Sequence, residues 1–217
     1  MSNDTIRIAL VDDHLLFRSG LRGLLAMRDD FEVVGDYGSG EEFLAQLPLL
    51  DVDIVFMDIS MQGIDGCETT RRALLERPEL RIITLSMYGD EQYYTKMMDS
   101  GASGFLLKDS DIEDVYNAVV AVAGGDSYFS TALLGSLTRN MSVTSQSKPA
   151  EEDALSERET EILVEVCRGL SNQEIADKLF ISKRTVDKHR ANILEKTGCK
   201  NTANLVVFAI KNRLVEL

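Results

Sequence analysis

The 217-residue sequence has no tryptophan, three prolines, three cysteines and two histidines. Each scarcity excludes something. Cys67, Cys167 and Cys199 stand far apart with no CxxC pair, a pattern that suits reduced, space-filling thiols rather than a disulfide framework. With only His14 and His189 beside them, a His/Cys zinc site lacks ligands. No apolar run approaches the roughly 20 residues of a bilayer span. No charged-then-apolar leader follows Met1, because a strand-like run begins within a few residues. The expectation is a cytoplasmic protein with no membrane partner.

Charge is the first positive signal. The net charge of −13 argues against nucleic acid as a partner, but the average hides an asymmetry. Residues 1–152 hold twelve Lys/Arg against twenty-six Asp/Glu, a net of −14, whereas residues 153–217 hold eleven against ten, a net of +1. Within 178–200, seven basic residues face only Asp187 and Glu195, a net of +5. An acidic body therefore carries one compact basic segment.

The hydrophobic pattern divides the chain the same way. Over the first ~125 residues, short apolar runs alternate with amphipathic stretches, the signature of a parallel α/β sheet. The strands are expected at Ile6–Val11, Phe31–Gly35, Ile54–Met57, Arg81–Leu85 and Gly104–Leu107. Five strands with five helices predict a doubly wound, flavodoxin-like sheet whose ligands sit at the carboxyl ends of the strands. Residues 140–153 carry almost no apolar side chains and read as a mobile linker, preceded by a short helix at Thr131–Arg139. Beyond it everything reads as helix. Ser156 with Glu159 and Ser171 with Glu174 are S-x-x-E capping boxes, Ser182 and Thr202 are expected caps, and Gly169 and Gly198 are stops. The division is then 1–126 for the α/β domain, 127–152 for the linker and 153–217 for a small all-α domain.

Three acids fall at strand ends: Asp12 and Asp13 after the first strand, Asp58 after the third. Three like charges together are costly unless a cation neutralises them, and all-oxygen ligands suit Mg²⁺. Ser86 and Lys108 follow the fourth and fifth strands and reach the same edge. A carboxylate, a metal, a lysine and a hydroxyl around one pocket make a phosphoryl-transfer site. Any one of these acids alone is more simply a helix cap; five such positions at consistent strand ends are not.

These motifs, Val11-Asp12-Asp13-His14, Phe56-Met57-Asp58-Ile59-Ser60-Met61, Leu85-Ser86 and Gly104-Phe105-Leu106-Leu107-Lys108, resemble the receiver domains of two-component response regulators over roughly residues 5–125. The resemblance implies that Asp58 accepts a phosphoryl group from a sensor histidine kinase. It implies Mg²⁺ on Asp13, Asp58 and the Ser60 backbone carbonyl, with Asp12 acting largely through water. Lys108 and Ser86 would contact phosphoryl oxygens, and Phe105 would move with Ser86. Gln62 stands where many receivers have proline, and Phe105 lacks the hydroxyl that some receivers use there.

Towards the C-terminus, a pair of helices, Asn172–Leu179 and Lys183–Thr197, is joined by the tight turn Phe180-Ile181-Ser182. Ile175, Ala176, Leu179, Ile181, Val186 and Ile193 form the expected seam. The second helix offers Lys183, Arg184, Asp187, Lys188, Arg190 and Ala191 near its start, as a helix entering the major groove does. A charge run is more commonly a solvated face, but the bias beside helix-turn-helix spacing favours DNA. Leu155–Glu159, Gly169–Ala176 and Ser182–Arg190 resemble the LuxR-type effector domain, and the whole chain resembles the NarL/FixJ group of response regulators. The resemblance implies that Asp187, Lys188 and Ala191 face bases and that Lys183, Arg184 and Thr185 hold phosphates of promoter DNA. It also implies a homodimer when phosphorylated, with the last helix as its seam. Asp187 either accepts from a cytosine amino group or pairs with Arg190 or Lys183.

Two rivals are set against this. A dehalogenase-like phosphatase would need a second acid two residues after its nucleophile, where this chain has Ser60. The chain is therefore expected not to be an enzyme beyond its own phosphotransfer and dephosphorylation. The second rival is a signalling module whose C-terminal helices act as a protein-binding adaptor, and a mobility shift of fragment 150–217 on genomic DNA discriminates it. Opposite charge on the two domains further predicts that the recognition helix docks on the receiver and is hidden from DNA until phosphorylation releases it.

Overall fold

The computed structural model describes residues 5–87, 100–129, 155–199, 202–212 and 214–215. The first two segments build one parallel sheet in the order β2-β1-β3-β4-β5-β6. Its strands are β1 (Ile6–Val11), β2 (Phe31–Tyr37), β3 (Ile54–Asp58), β4 (Arg81–Ser86), β5 (Gly104–Leu107) and β6 (Tyr128–Phe129). β3, Ile-Val-Phe-Met-Asp, is buried along its whole length, as a strand covered on both faces must be, and so carries an unbroken apolar run. The pleat sends alternate side chains to opposite faces. Ile54 and Phe56 join the cluster containing Leu21, Leu25, Val115 and Val119. Val55 and Met57 join Phe43, Leu47 and Ala73 on the other face.

The helices that cover these faces are α1 (Leu15–Leu25), α2 (Gly40–Gln46), α3 (Gly66–Glu76) and α4 (Ile112–Ala123). Ser39, Asp65 and Asp111 cap α2, α3 and α4, each accepting from a backbone N–H three residues on. The start of α3 lies so close to the end of β3 that a Cβ at Gly66 would fall 2.0 Å from the Asp58 carbonyl oxygen. Only glycine fits there, and the Gly66 N–H donates to the Ile59 carbonyl at 3.0 Å.

The second region is helical throughout: α5 (Glu157–Cys167), α6 (Asn172–Lys178), α7 (Lys183–Thr197) and α8 (Thr202–Lys211). Both capping boxes form, with Ser156 and Glu159, and Ser171 and Glu174, exchanging hydrogen bonds. Ser182 caps α7 and Gly198 ends it at φ 66°, the left-handed conformation glycine supplies without cost. Ile175, Ala176, Val186 and Ile193 are buried, as the seam required. Cys167 is also buried in this core; burial pushes its thiol up to about 12, so it is inert filler.

The structure departs from expectation in three places. β2 runs on to Tyr37. A sixth strand, β6, extends the sheet to Phe129, inside the stretch read as linker; two residues are too few to show a period of two. Thr202 is the first residue of α8 rather than its cap. Leu205, Val206 and Ala209 of α8 pack into the core of this helical region. The helix expected between β4 and β5, the short helix at 131–139 and the linker at 140–153 lie outside the described residues.

Candidate functional site

Because the sheet is parallel, the ends of β1, β3, β4 and β5 deliver Asp12, Asp58, Ser86 and Lys108 to one edge. Asp12 and Asp58 are each 2% exposed and Ser86 is 5% exposed. The Lys108 ammonium bridges the two acids, 2.7 Å from Asp12 Oδ2 and 2.9 Å from Asp58 Oδ2, and also lies 5.0 Å from the centre of the Phe17 ring. The remaining oxygens are held by backbone: the His14 N–H donates to Asp12 Oδ1 at 2.8 Å and the Ser60 N–H to Asp58 Oδ1 at 3.3 Å. Asp12 Oδ2 accepts no hydrogen bond and meets Lys108 as an ion pair. Burial pushes the Asp58 carboxyl above the usual carboxylate range, Lys108 pulls it back and the Asp12 charge pushes it further up.

Asp13 and Ser60 are exposed beside this buried pair, and Asp13 Oδ2 accepts from the Gln62 N–H at 3.1 Å. Asp13, His14, Ser60, Gln62 and Cys67 line an open cleft at the same edge. One ligand atom each from Asp12, Asp13 and His14 lie within 4.8 Å of one another. The sequence shows His14 only as part of a motif; its place beside the acids follows from α1 starting immediately after β1. Asp58 is outside that triplet and meets Asp12 through Lys108. Phe105 is 2% exposed and belongs to one apolar cluster with Ile59 and Phe129.

On α7, Lys183, Arg184, Asp187, Lys188 and Ala191 are exposed and Thr185 is partly so. Arg190 does not share that face. It is 9% exposed, donates to Asn172 Oδ1 and, at 2.6 Å, to Thr202 Oγ1, and lies 3.5 Å from Asp126. Burial lowers its pKa from the ordinary value, with Asp126 and Asp187 opposing. Asp187 has a partner, but neither of those expected: the Asn172 side-chain amide donates to it at 2.7 Å. A helical wheel from the sequence could have turned Arg190 inward, since it stands four residues after Val186 and three before Ile193, both buried.

The chain belongs to the two-component response regulators. Residues 8–120 match the response regulator receiver domain family and residues 153–209 match the LuxR family of bacterial regulatory proteins. It is therefore a receiver joined to a LuxR-type DNA-binding domain, and a transcription regulator. The transcriptional regulatory protein DegU of Brevibacillus brevis is 33% identical, over 100% of this chain and 98% of that protein. The oxygen regulatory protein NreC of Staphylococcus carnosus is 34% identical, over 97% and 100%. Among solved structures, the response regulator ChrA of a heme-sensing two-component system is 34% identical, with a TM-score of 0.55 over 98% of this chain and 100% of that one. RcsB in a complex with DNA is 25% identical, with a TM-score of 0.59 over 94% and 97%.

Proposed function

We propose that Asp58 is the phosphoacceptor and that its phosphorylation by a sensor histidine kinase sets how the effector domain engages promoter DNA in the cytoplasm. The observation that carries this is the Lys108 ammonium held within 2.9 Å of both Asp58 and Asp12 in a buried pocket. An Asp58 carboxylate oxygen forms a bond to phosphorus as the bond from phosphorus to the kinase histidine nitrogen breaks, and the imidazole leaves with the bonding pair. Lys108 moves with the charge from carboxylate to phosphoryl oxygen, and Ser86 donates to a second oxygen of the dianion-like product. On this reading the chain catalyses only its own phosphotransfer and dephosphorylation.

The donor set fits a hard, oxygen-seeking cation. Asp12 Oδ2 is buried and accepts no hydrogen bond, and Asp58 is pushed up by burial and by its acidic neighbour. Mg²⁺ held by Asp12, Asp13, Asp58 and the Ser60 carbonyl would supply neutralising charge to the phosphoryl oxygens. At the other end, the exposed face of Lys183, Arg184, Thr185, Asp187, Lys188 and Ala191 supports major-groove binding, and the RcsB–DNA complex supports it by likeness. Phosphorylated protomers would pair on neighbouring half-sites.

Incubation with acetyl phosphate and Mg²⁺ tests the acceptor. The expected product is one acyl phosphate, released by hydroxylamine and absent from Asp58→Asn. Full labelling of Asp58→Asn, or labelling that survives EDTA unchanged, would show the acceptor or the metal requirement to be wrong.

A further inference from the structure

One exposed side chain on α7 has the opposite sign to its neighbours. Asp187 stands on the same stretch as Lys183, Arg184 and Lys188, in the segment 178–200 whose net charge is +5. A carboxylate there opposes the phosphates of any duplex and weakens binding to all of them, so it calls for a compensating role. Among the described residues its partner is no lysine but Asn172, whose side-chain amide donates to Asp187 Oδ1 at 2.7 Å. Asn172 is the first residue of α6 and is 9% exposed. Behind it, buried Arg190 donates to Asn172 Oδ1 and, at 2.6 Å, to Thr202 Oγ1.

The chemistry of these groups gives the relay a direction. A guanidinium only donates, so Asn172 turns its carbonyl oxygen to Arg190 and its NH₂ to Asp187. The flipped amide would set N–H against N–H and oxygen against oxygen. A carboxylate only accepts, so the relay ends on a group with no proton to give. Oδ1 is occupied, whereas Oδ2 accepts from no described residue and belongs to an exposed side chain. Asp187 shares a face of α7 with Arg184, Lys188 and Ala191, at spacings of three and four residues. That face presents a held acceptor between cations. The major-groove edges of the bases answer it unequally. Guanine offers N7 and O6, and thymine O4, all of them acceptors. Adenine offers its N6 amine beside the N7 acceptor, which repels a carboxylate. Cytosine offers its N4 amine with no acceptor on its own edge.

We propose that Asp187 selects cytosine at one base pair of the DNA site, and that Asn172 is the positioning residue that holds its carboxylate for that contact. This rests on α7 entering the major groove. The lysines and arginines supply affinity, and Asp187 supplies rejection: each of the other three bases sets an acceptor against it. Because the relay is anchored in the core through Arg190 and Thr202, the carboxylate is fixed before DNA arrives and loses little freedom on binding.

The full-length protein, incubated with acetyl phosphate and Mg²⁺, is set to select duplexes from a random pool. Anisotropy competition with each base pair of the selected duplex changed singly then gives the preference at every position. Wild type should prefer cytosine about tenfold over the other bases at one position. Asp187→Ala should reduce that preference below about twofold, at that position alone, and should bind random duplex no more weakly. Asp187→Asn should change the preferred base there to adenine, since an amide pairs with N6 and N7 together. Asn172→Asp keeps an acceptor for Arg190 but faces Asp187 with a carboxylate instead of a donor. It should lose the cytosine preference while its thermal midpoint holds, whereas a merely structural Asn172 would leave the preference intact. The assignment is wrong if no position responds to Asp187→Ala, or if Asp187→Asn still prefers cytosine. The positioning role is wrong if Asn172→Asp reads bases as wild type does. Asp187 is exposed, so its two variants decide the assignment even if Asn172→Asp does not fold. Should the wild type enrich no sequence at all, the reading of α7 as a major-groove helix fails, and the assignment with it.

Discussion

At the scale of single residues, the recognition helix separates two kinds of lysine. Lys183 stands at the first position of α7 and Lys188 one and a half turns further in, both exposed. A phosphate contact fixes register without reading sequence, whereas a contact to a base edge discriminates by roughly 1–3 kcal/mol. Lys188→Ala should therefore lower the ratio of specific to random-duplex affinity, and Lys183→Ala should weaken both about equally. Competition binding with the two duplexes gives both ratios; identical ratios for the two variants would reverse or erase the assignment. Arg190→Ala belongs to a different class. Its loss strands Asn172, Thr202 and Asp126 inside the protein, so its effect on DNA binding would read folding rather than contact.

At the scale of elements, α7 carries its positive charge on a narrow front. If about four phosphates are neutralised per protomer, the log–log slope of affinity against salt is about −3.6. Titration of affinity between low and physiological salt measures it, and a slope near zero would remove α7 from the phosphate backbone. The acidic edge and α7 were the most legible regions of the sequence, because both depend on local signals: strand-terminal Asp12 and Asp58, and Ser-capped helices with apolar spacing. What was not legible is what depends on distant neighbours. β6 has two residues and exists through its pairing with β5. His14 joins the acids because α1 begins where it does. Asp126 is buried 3.5 Å from Arg190, 64 positions away. Composition gives no sign of such a meeting.

At the scale of the whole molecule, the two domains differ in how far apart in sequence their contacts lie. β1 sits between β2 and β3, so Ile8 must find Ile54, and Ile83 must find Gly104, before the sheet closes. The helices α5–α8 pack on near neighbours. Local contacts form in microseconds to milliseconds, and sheets of non-local pairs more slowly. Refolding from denaturant should show a fast helical phase followed by a slower one, separable by far-ultraviolet circular dichroism and by tyrosine emission, since no tryptophan intervenes. A single shared rate at both probes would mean that the domains fold as one. On the ribosome the order reverses. The 88 residues after Phe129 take about 4–18 s to make at 5–20 residues per second, ample time for the sheet to close. The half that receives the signal is thus complete before the half that reads DNA exists, and a new chain has its control in place before it has an output.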